Sequence, residues 1–286
     1  MGSGAWQWLS AGMVWDLPSL RPKQTDQSDP TANITFHQQV SSPDGSANAT
    51  AASDGSLTIR DAQTHEALAG GSAPGSMYGV CWRPDGEQLA TAGHDGAVRL
   101  WSRGGTLLKT FSRHTGPVAS VAYHRDGRYL ASASQDGSIR LWNALTGDET
   151  LSLPSLADNW LYQQAEFSPD GQQLVAIRGK QVLRWSLTFD KRGLLTRMKS
   201  LPTLEGHERN LLSLAFHPTT NLLATRSLDG TLRIWNETGR ALRTIHVPSA
   251  PYAAHDEQLS FSPDGRHLLL RHQNGVIYIF RLEDAN

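Results

Sequence analysis

The sequence is poor in cysteine and in long apolar segments, and both absences restrict what the protein can be. Its 286 residues include a single cysteine, Cys81, so no disulfide can form within the chain. A reducing compartment is the simplest expectation, and we predict a cytoplasmic protein. No segment approaches the roughly 18 consecutive apolar residues of a membrane-spanning helix, and residues 1–17 lack the basic start and apolar core of a signal peptide.

An excess of charge of either sign is also missing. Lysine and arginine number 26 against 27 aspartates and glutamates, which gives a formal net charge of -1. General affinity for nucleic acid needs a clustered basic surface, and adsorption to an anionic membrane needs one too. We therefore expect neither nucleic acid nor a membrane as a partner. Phosphate-binding and dinucleotide-binding glycine motifs are absent as well, so the sequence indicates no cofactor.

What the sequence does contain is a repeat of about 41 residues that is marked by Asp-Gly pairs. Asp54, Asp95 and Asp136 are each followed by glycine, and each lies 41 residues after the one before. The pair returns at Asp229 and, as Asn-Gly, at Asn274. A fixed period in this range indicates an array of similar supersecondary units.

Each unit has the pattern of short antiparallel strands. Asp-Gly pairs favour the tight turns of hairpins, and the segments between them are short and alternating. The pattern predicts three hairpin-linked strands and then a variable outer strand, in six units that begin near residues 33, 78, 119, 163, 212 and 257. Representative strands are expected at 88–92, 97–101, 138–142 and 231–235.

These motifs carry a resemblance to a known family. The Gly206-His207 pair, the Ser-Pro-Asp-Gly turns and the segment Leu-Arg-Ile-Trp-Asn at 232–236 resemble the WD-repeat family of β-propellers, over about residues 13 to 282. The resemblance implies an all-β fold in which four-stranded blades surround a central channel. We expect one propeller domain of six repeats at 33–286, preceded at 1–32 by a partial blade of two strands and a polar loop.

The number of blades stays open. A seven-bladed ring would include the incomplete N-terminal blade, whereas a six-bladed ring would use the N-terminal strands to complete the last blade. We favour seven blades, because seven is the commonest count in the family. The chain would alternatively be part of a longer protein with several propellers.

Two units carry histidine, a hydroxyl residue, aspartate and tryptophan at the same offsets, and the resemblance implies that each set forms a structural hydrogen-bonded tetrad. The chemistry is suitable, because an indole N–H donates, a carboxylate accepts, and a hydroxyl and an imidazole do both. The complete sets are His114, Ser132, Asp136 and Trp142 in the third unit and His207, Thr225, Asp229 and Trp235 in the fifth. Partial sets are Thr50 and Asp54 in the first unit and Thr91, Asp95 and Trp101 in the second.

Hydrolase and zinc interpretations of these residues are disfavoured. A Ser-His-Asp set would serve a nucleophile only at an exposed position with oxyanion donors, and here the set recurs at equivalent positions of two repeats. The ten-residue spacing from His114 to His124 returns from His207 to His217, which reflects the repeat rather than a metal site. Cys81 aligns with small core residues. We therefore expect no catalytic residue, no bound cofactor and no metal.

In the family, the rim that carries the histidine loops and the Asp-Gly turns is the usual partner-binding face. We predict a non-catalytic scaffold that binds other proteins or peptides, as a monomeric propeller or as part of a larger complex. Eight positions beside the turns are expected to project from this rim: His37, Tyr78, His94, Gln135, Gln163, Leu212, Leu228 and His255.

Two other functions are alternatives to a protein-binding scaffold. The chain would otherwise be a sensor or regulatory propeller split from a larger bacterial signalling protein. A propeller hydrolase or lactonase that uses the channel is less favoured, because Glu166 is the single carboxylate in the expected inner strands. A basic segment at 191–199 is expected to be a solvated outer strand, with a docking lip for an acidic partner as the alternative.

Overall fold

The fold is built from antiparallel β-sheets that follow one another along the chain. The computed structural model describes the backbone of residues 7–10, 13–16, 21–24, 36–153, 162–247, 258–271 and 277–282, and all their side chains except those of 7–24, 36–37 and 162–163. Every regular element in these ranges is a strand. The all-β prediction is confirmed.

The first sheet lies at the N-terminus, and six further sheets, which we call blades 1 to 6, follow it in chain order. The N-terminal sheet contains β1 (Gln7–Ser10), β2 (Met13–Asp16) and β3 (Arg21–Gln24). Blade 1 contains β4 (Phe36–Ser41), β5 (Ala47–Ala52), β6 (Ser56–Asp61) and β7 (Ala67–Ser72). Blade 2 contains β8 (Met77–Trp82), β9 (Gln88–Gly93), β10 (Val98–Ser102) and β11 (Leu107–Phe111).

The remaining blades repeat this meander. Blade 3 contains β12 (Val118–Tyr123), β13 (Tyr129–Ser134), β14 (Ile139–Asn143) and β15 (Glu149–Leu153). Blade 4 contains β16 (Tyr162–Phe167), β17 (Gln173–Arg178), β18 (Gln181–Phe189) and β19 (Leu195–Leu204). Blade 5 contains β20 (Leu211–Phe216), β21 (Leu223–Ser227), β22 (Thr231–Trp235) and β23 (Ala241–His246). Blade 6 contains β24 (Gln258–Phe261), β25 (His267–Arg271) and β26 (Ile277–Arg281).

The described residues form six blades after the N-terminal sheet, so the seven-bladed ring that we favoured from the sequence is wrong and the six-bladed count applies. The N-terminal segment forms three strands rather than the expected two, because Arg21–Gln24 pairs with Met13–Asp16 where a polar loop was predicted. In the described strand pairings, blade 6 has three strands and none of them comes from the N-terminal segment. The clasp that we expected of a six-bladed ring is therefore not among those pairings.

The apolar core lies between neighbouring blades rather than within any one of them. The inner strands contact in series, β4 with β8, β8 with β12, β12 with β16, β16 with β20 and β20 with β24. Each buried cluster combines side chains of two blades, as where Ile59 of blade 1 meets Val80 and Trp101 of blade 2. A blade alone would leave these faces in water, so the stacking of blades supplies the hydrophobic stabilisation.

Hydrogen bonds between inner strands add a polar link to this packing. At the third position of an inner strand, a side-chain oxygen accepts from a backbone amide of the next blade. The pairs are Gln38 Oε1 with Val80 N at 2.8 Å, Ser120 Oγ with Ala165 N at 3.0 Å, and Gln164 Oε1 with Leu214 N at 3.0 Å. The equivalent Ser213 Oγ is buried and lacks a partner among the described residues.

Candidate functional site

The Asp-Gly turns share one local geometry that explains both residues. Gly55, Gly96, Gly137 and Gly230 adopt φ between 78° and 82°, a left-handed conformation that glycine reaches without steric cost. The preceding aspartate accepts a hydrogen bond from the amide two residues ahead, as Asp136 Oδ1 does from Ser138 N at 2.8 Å. The turn therefore fixes the carboxylate before any tertiary contact forms.

Blade 3 joins its four predicted side chains into one continuous network. His114 Nδ1 lies 2.9 Å from Asp136 Oδ2, and His114 Nε2 lies 2.7 Å from Ser132 Oγ. Trp142 Nε1 donates to the same Ser132 oxygen at 2.9 Å. A fifth side chain takes part, because Ser138 Oγ donates to Asp136 Oδ1 at 2.6 Å.

Blade 5 repeats the arrangement almost atom for atom. His207 Nδ1 lies 2.9 Å from Asp229 Oδ2, and His207 Nε2 lies 2.8 Å from Thr225 Oγ1. Trp235 Nε1 donates to Thr225 Oγ1 at 2.9 Å, and Thr231 takes the place of Ser138 with a 2.6 Å bond to Asp229. The two blades thus use the same five positions.

Burial determines the charge states in these networks. Burial lowers the pKa of His114 and of His207, although the aspartate beside each histidine opposes the change. Burial alone would raise the pKa of Asp136 and Asp229, but donors from the fifth side chain, the histidine and backbone amides hold both pKa values at about 2. At neutral pH each network therefore pairs a neutral imidazole with a carboxylate.

Blade 2 lacks the histidine and uses an arginine instead. Trp101 Nε1 still donates to Thr91 Oγ1 at 2.9 Å. Asp95 accepts from both terminal nitrogens of Arg99, at 3.1 Å and 2.5 Å. A Cβ atom at Gly93 would lie only 2.4 Å from the Asp95 carboxylate and 3.0 Å from the guanidinium, so glycine makes room for the pair.

Blade 1 retains only the turn. Asp54 is exposed, and its carboxylate accepts from Ser56 N at 2.9 Å. Thr50 is half-buried in β5, and Arg60, which stands where other blades have tryptophan, is exposed and donates to the His65 carbonyl. The first unit therefore has the Asp-Gly turn without a buried network.

The rim positions are set by a β-bulge that recurs in blades 1 to 5. At the start of each inner strand the register of the pairing shifts, so that one residue is skipped. The skipped residues are His37, Tyr78, Ala119, Gln163 and Leu212. Four of them are predicted rim residues, and a bulge turns a side chain away from the regular alternation of its strand.

Three of these bulges lie beside a second rim position. His94, Gln135 and Leu228 each precede the turn aspartate, and their amides donate to carbonyls just before the inner strand, those of Ser76, Pro117 and Asn210, at 2.8–2.9 Å. In blade 2 the two rim side chains also meet, since Tyr78 Oη lies 2.7 Å from His94 Nδ1. His94 and Gln135 are exposed, and Tyr78, Leu212 and Leu228 are half-buried.

Three predicted rim side chains lie outside this description. His37 and Gln163 have described backbones only, and His255 lies outside the described residues. The bulge itself was missed from the sequence. The available signal was spacing, because His37, Tyr78, Ala119 and Leu212 each stand 17 residues before a turn aspartate. Constant spacing indicates equivalence but not a break in pairing.

The inner strands contain one ionisable group at an otherwise small position. Glu166 takes the place of Cys81, Ala122 and Ala215, and burial raises its pKa to about 7. Gln164 Nε2 donates to its Oε1 at 2.7 Å. The same amide group binds both the N–H and the C=O of Leu214, so this carboxyl belongs to the link between blades 4 and 5.

Other candidate chemistry is not assembled in the described part of the chain. Burial raises the pKa of the Cys81 thiol to about 12, which keeps it protonated. Over the described residues, no three side chains of histidine, cysteine, aspartate or glutamate converge as metal ligands. The described ranges also contain no helix long and apolar enough to cross a membrane.

Comparison with known families identifies the repeat. The family described as "WD domain, G-beta repeat" matches residues 68–102, 105–143 and 198–236. Each match runs from the outer strand of one blade to the third strand of the next, which places the sequence repeat one strand out of phase with the blade. The chain therefore contains WD repeats at these three positions.

Relatives with curated names match over a limited region. Eukaryotic translation initiation factor 3 subunit I of Pyricularia oryzae is 32% identical over 108 residues, which cover 37% of this chain and 28% of that protein. Periodic tryptophan protein 2 of Saccharomyces cerevisiae is 38% identical over 87 residues, or 30% of this chain and 9% of that protein. The matched segment therefore spans less than a third of either relative.

A solved structure extends the likeness to most of the chain. A chain in "Crystal Structure of Mitotic Checkpoint Complex" superposes with a TM-score of 0.75 and covers 95% of this chain and 81% of its own length. Its sequence identity is 19%, so the likeness concerns the fold. It supports the propeller architecture and assigns no partner.

Proposed function

We propose that this protein is a non-catalytic scaffold that binds other proteins or peptides through the rim bearing the histidine loops and the Asp-Gly turns. The bulge that recurs at the start of the inner strand in blades 1 to 5 carries the proposal. It skips one residue in the strand pairing at the equivalent position of each of these blades, and the identity of that residue differs in every one of them. A constant frame with variable side chains is typical of a recognition surface.

The hydrogen-bonded sets support a structural rather than a catalytic role. Ser132 and Thr225 have 0% exposure, and each hydroxyl oxygen already bonds an indole and an imidazole. A nucleophile must reach its substrate and needs oxyanion donors beside it. In the channel-facing strands, Glu166 is held by Gln164 and forms no pair with a second described acid. We therefore propose that the protein is not an enzyme.

The chemistry of the rim favours a partner with apolar and aromatic anchors. Tyr78 and His94 form one edge-to-face pair with ring centroids 5.7 Å apart. Leu212 and Leu228 offer aliphatic surface in blade 5. Rigid, partly exposed aromatic and aliphatic groups are usual anchors of protein contacts. The name of one similar protein refers to a subunit of an initiation factor, which agrees with a scaffold.

The proposal includes a cytoplasmic location and excludes nucleic acid and membranes as partners. A formal net charge of -1 and a single cysteine, whose raised pKa keeps the thiol protonated, support these statements. A monomeric propeller, alone or within a larger complex, fits the variety of the rim side chains.

Co-purification from the native lysate tests the proposal. A tagged Tyr78→Ala, Leu212→Ala variant is compared with wild type and with a Leu107→Ala, Leu242→Ala variant. The control removes leucines that are each 47% exposed on outer strands, away from the bulge positions. All three proteins must first unfold at temperatures that agree within a few degrees.

The expected result is one partner in near-stoichiometric amount with wild type and the control, and its loss with the rim variant. A partner that persists with the rim variant, or that disappears with the control, would contradict the rim as the binding face. If neither wild type nor the control retains any partner, the scaffold proposal fails.

A further inference from the structure

Blade 4 carries an outer hairpin that is longer than those of the other blades. Its strands β18 and β19 contain nine and ten residues, whereas the corresponding strands of blades 1, 2, 3 and 5 contain five or six. Most of this hairpin lies between the second and third family matches, which end at residue 143 and begin at residue 198.

One face of the extension is anchored on blade 3. Leu187, Phe189, Leu195 and Met198 pack into the cluster that contains buried side chains of β13 and β14. The Phe189 ring lies 4.9 Å from the ring of His124, and Leu195 N donates to Tyr129 Oη at 2.8 Å. These contacts hold the hairpin against its neighbour, so its other face has a fixed position.

The other face is basic. Arg197 and Lys199 lie opposite Thr188 and Ser186 across the hairpin, and all four therefore share one side of the sheet. The turn adds two further cations, Lys191 and Arg192, and the four basic side chains are exposed. The cations thus form a row beside hydroxyl groups, with apolar residues on the opposite face.

Counter-charges do not neutralise this row within the described residues. Asp190, the nearest acid in sequence, accepts from the amides of Arg192 and Leu194 at 2.8 and 2.9 Å, which ties it to the turn. Asp126 of blade 3 lies near the turn at Gly193, but its carboxylate pairs with His124 at 2.8 Å. The described structure shows no ion pair for any of the four cations.

The strand that bears two of these cations is also the edge of its sheet. The strand order β16-β17-β18-β19 leaves β19 with a neighbour on one side only. An edge strand presents unpaired backbone N–H and C=O groups, to which another extended segment can add. In an added strand, alternate side chains would share a face at a spacing of about 7 Å, which equals the spacing from Arg197 to Lys199.

We propose that the outer hairpin of blade 4 binds an extended acidic segment of another protein, which pairs with β19 and places alternate carboxylates against Arg197 and Lys199. Backbone pairing with β19 fixes the orientation of the bound segment, and the uncompensated cations favour segments with acidic side chains. A nucleic acid fits less well, because its backbone cannot continue a β-ladder. This surface is distinct from the rim.

Selection from a displayed library of random dodecapeptides tests the proposal on the full chain. Wild type is compared with an Arg197→Glu, Lys199→Glu variant, and selected peptides are resynthesised for titration by fluorescence anisotropy. The matched control is Arg240→Glu, Arg243→Glu, which makes the same charge change on exposed positions at the outer hairpin of blade 5. Thermal unfolding verifies that the three proteins are equally folded.

We expect enrichment of peptides with acidic residues at alternate positions, which bind wild type and the control equally and the hairpin variant at least ten-fold more weakly. Methylation of the peptide's backbone amides should also weaken binding. Absence of acidic peptides from the selection, or equal binding to the hairpin variant, would overturn the proposal.

Two further titrations distinguish this proposal from binding of nucleic acid or of a membrane. A single-stranded oligonucleotide and vesicles containing phosphatidylserine are titrated against the same proteins. The proposal would be overturned if the oligonucleotide or the vesicles bound more tightly than the acidic peptides and lost binding with the hairpin variant. The hairpin would then bind nucleic acid or a membrane instead. The Tyr78→Ala, Leu212→Ala variant should bind the peptides like wild type, so failure at the rim and failure at the hairpin are separable.

Discussion

Blades 3 and 5 fix the turn aspartate with a buried histidine, whereas blade 2 fixes it with an arginine from its own third strand. The aspartates of blades 3 and 5 bond His114 and His207, each at 2.9 Å. Asp95 of blade 2 bonds Arg99, which is 7% exposed. The common requirement is a donor that satisfies the carboxylate, and different residues meet it.

Local space explains which donor each blade uses. Gly93 of blade 2 leaves room for the guanidinium, whereas the equivalent Ser134 and Ser227 fill this space and bond carbonyls of the preceding loop. The arginines at positions equivalent to Arg99 in blades 3 and 5 make other contacts. Arg140 pairs with Glu149, and Arg233 lies over the Trp235 ring at 5.9 Å from its centroid.

The largest effect is expected where the complete network loses its carboxylate. Asp229→Asn should lower the free energy of unfolding by about 1–3 kcal/mol, because buried donors lose a charged acceptor. Asp54→Asn is the matched control in an exposed turn and should change it by less than about 0.5 kcal/mol. Thermal and urea unfolding measure both, and equal stability of the two variants would contradict the tetrad assignment.

Blade 2 offers a test of the arginine substitute. Arg99→Ala should reduce stability by about 1–2 kcal/mol, since it removes packed methylene groups and leaves Asp95 without its main donor. Gly93→Ala should reduce it as well, because the new methyl group would lie 2.4 Å from the carboxylate. Combined in one protein, the two changes should be less than additive, and full additivity in urea titrations would mean that they act independently.

Blade 4 differs from the others because its inner strand contains Glu166, and the stability of the protein should depend on the protonation of this carboxyl. The folded pKa of about 7 exceeds the ordinary value of 4.5, so the folded protein holds a proton that the unfolded chain releases. Stability should therefore fall as pH rises from about 4.5 to about 7, by about 3 kcal/mol for this group. Glu166→Gln should remove this decrease and be the more stable protein at pH 8. Parallel pH profiles for wild type and variant would contradict the prediction.

The smallest contrast concerns the hydrogen bonds between inner strands. Ser120→Ala should cost about 1 kcal/mol, because Ala165 N loses its acceptor. Ser213→Ala should be neutral or slightly stabilising, since that hydroxyl is buried and has no partner among the described residues. Chemical unfolding of the two variants measures the difference, and a greater loss at Ser213 would be contrary to the account.

The sequence predicted the repeat and its buried side chains better than it predicted how the ring of blades closes. Asp-Gly pairs and the offsets from histidine to tryptophan are local patterns, so strands such as Thr231–Trp235 were placed correctly. The third N-terminal strand was missed because Arg-Pro-Lys-Gln is polar and contains proline. The substitution of Arg99 for histidine depends on space at Gly93, and the bulges at Tyr78 and Leu212 depend on pairing register, neither of which residue types reveal.

The most direct test of the rim as the partner surface is site-specific photo-crosslinking in the native cell. The crosslinking residue p-benzoylphenylalanine replaces Leu212 at a bulge in one protein and Leu107 on an outer strand in a second. The account predicts one dominant crosslinked protein from the Leu212 site and none of it from the Leu107 site. Crosslinking of that protein from the Leu107 site alone, or of none from either site, would contradict it.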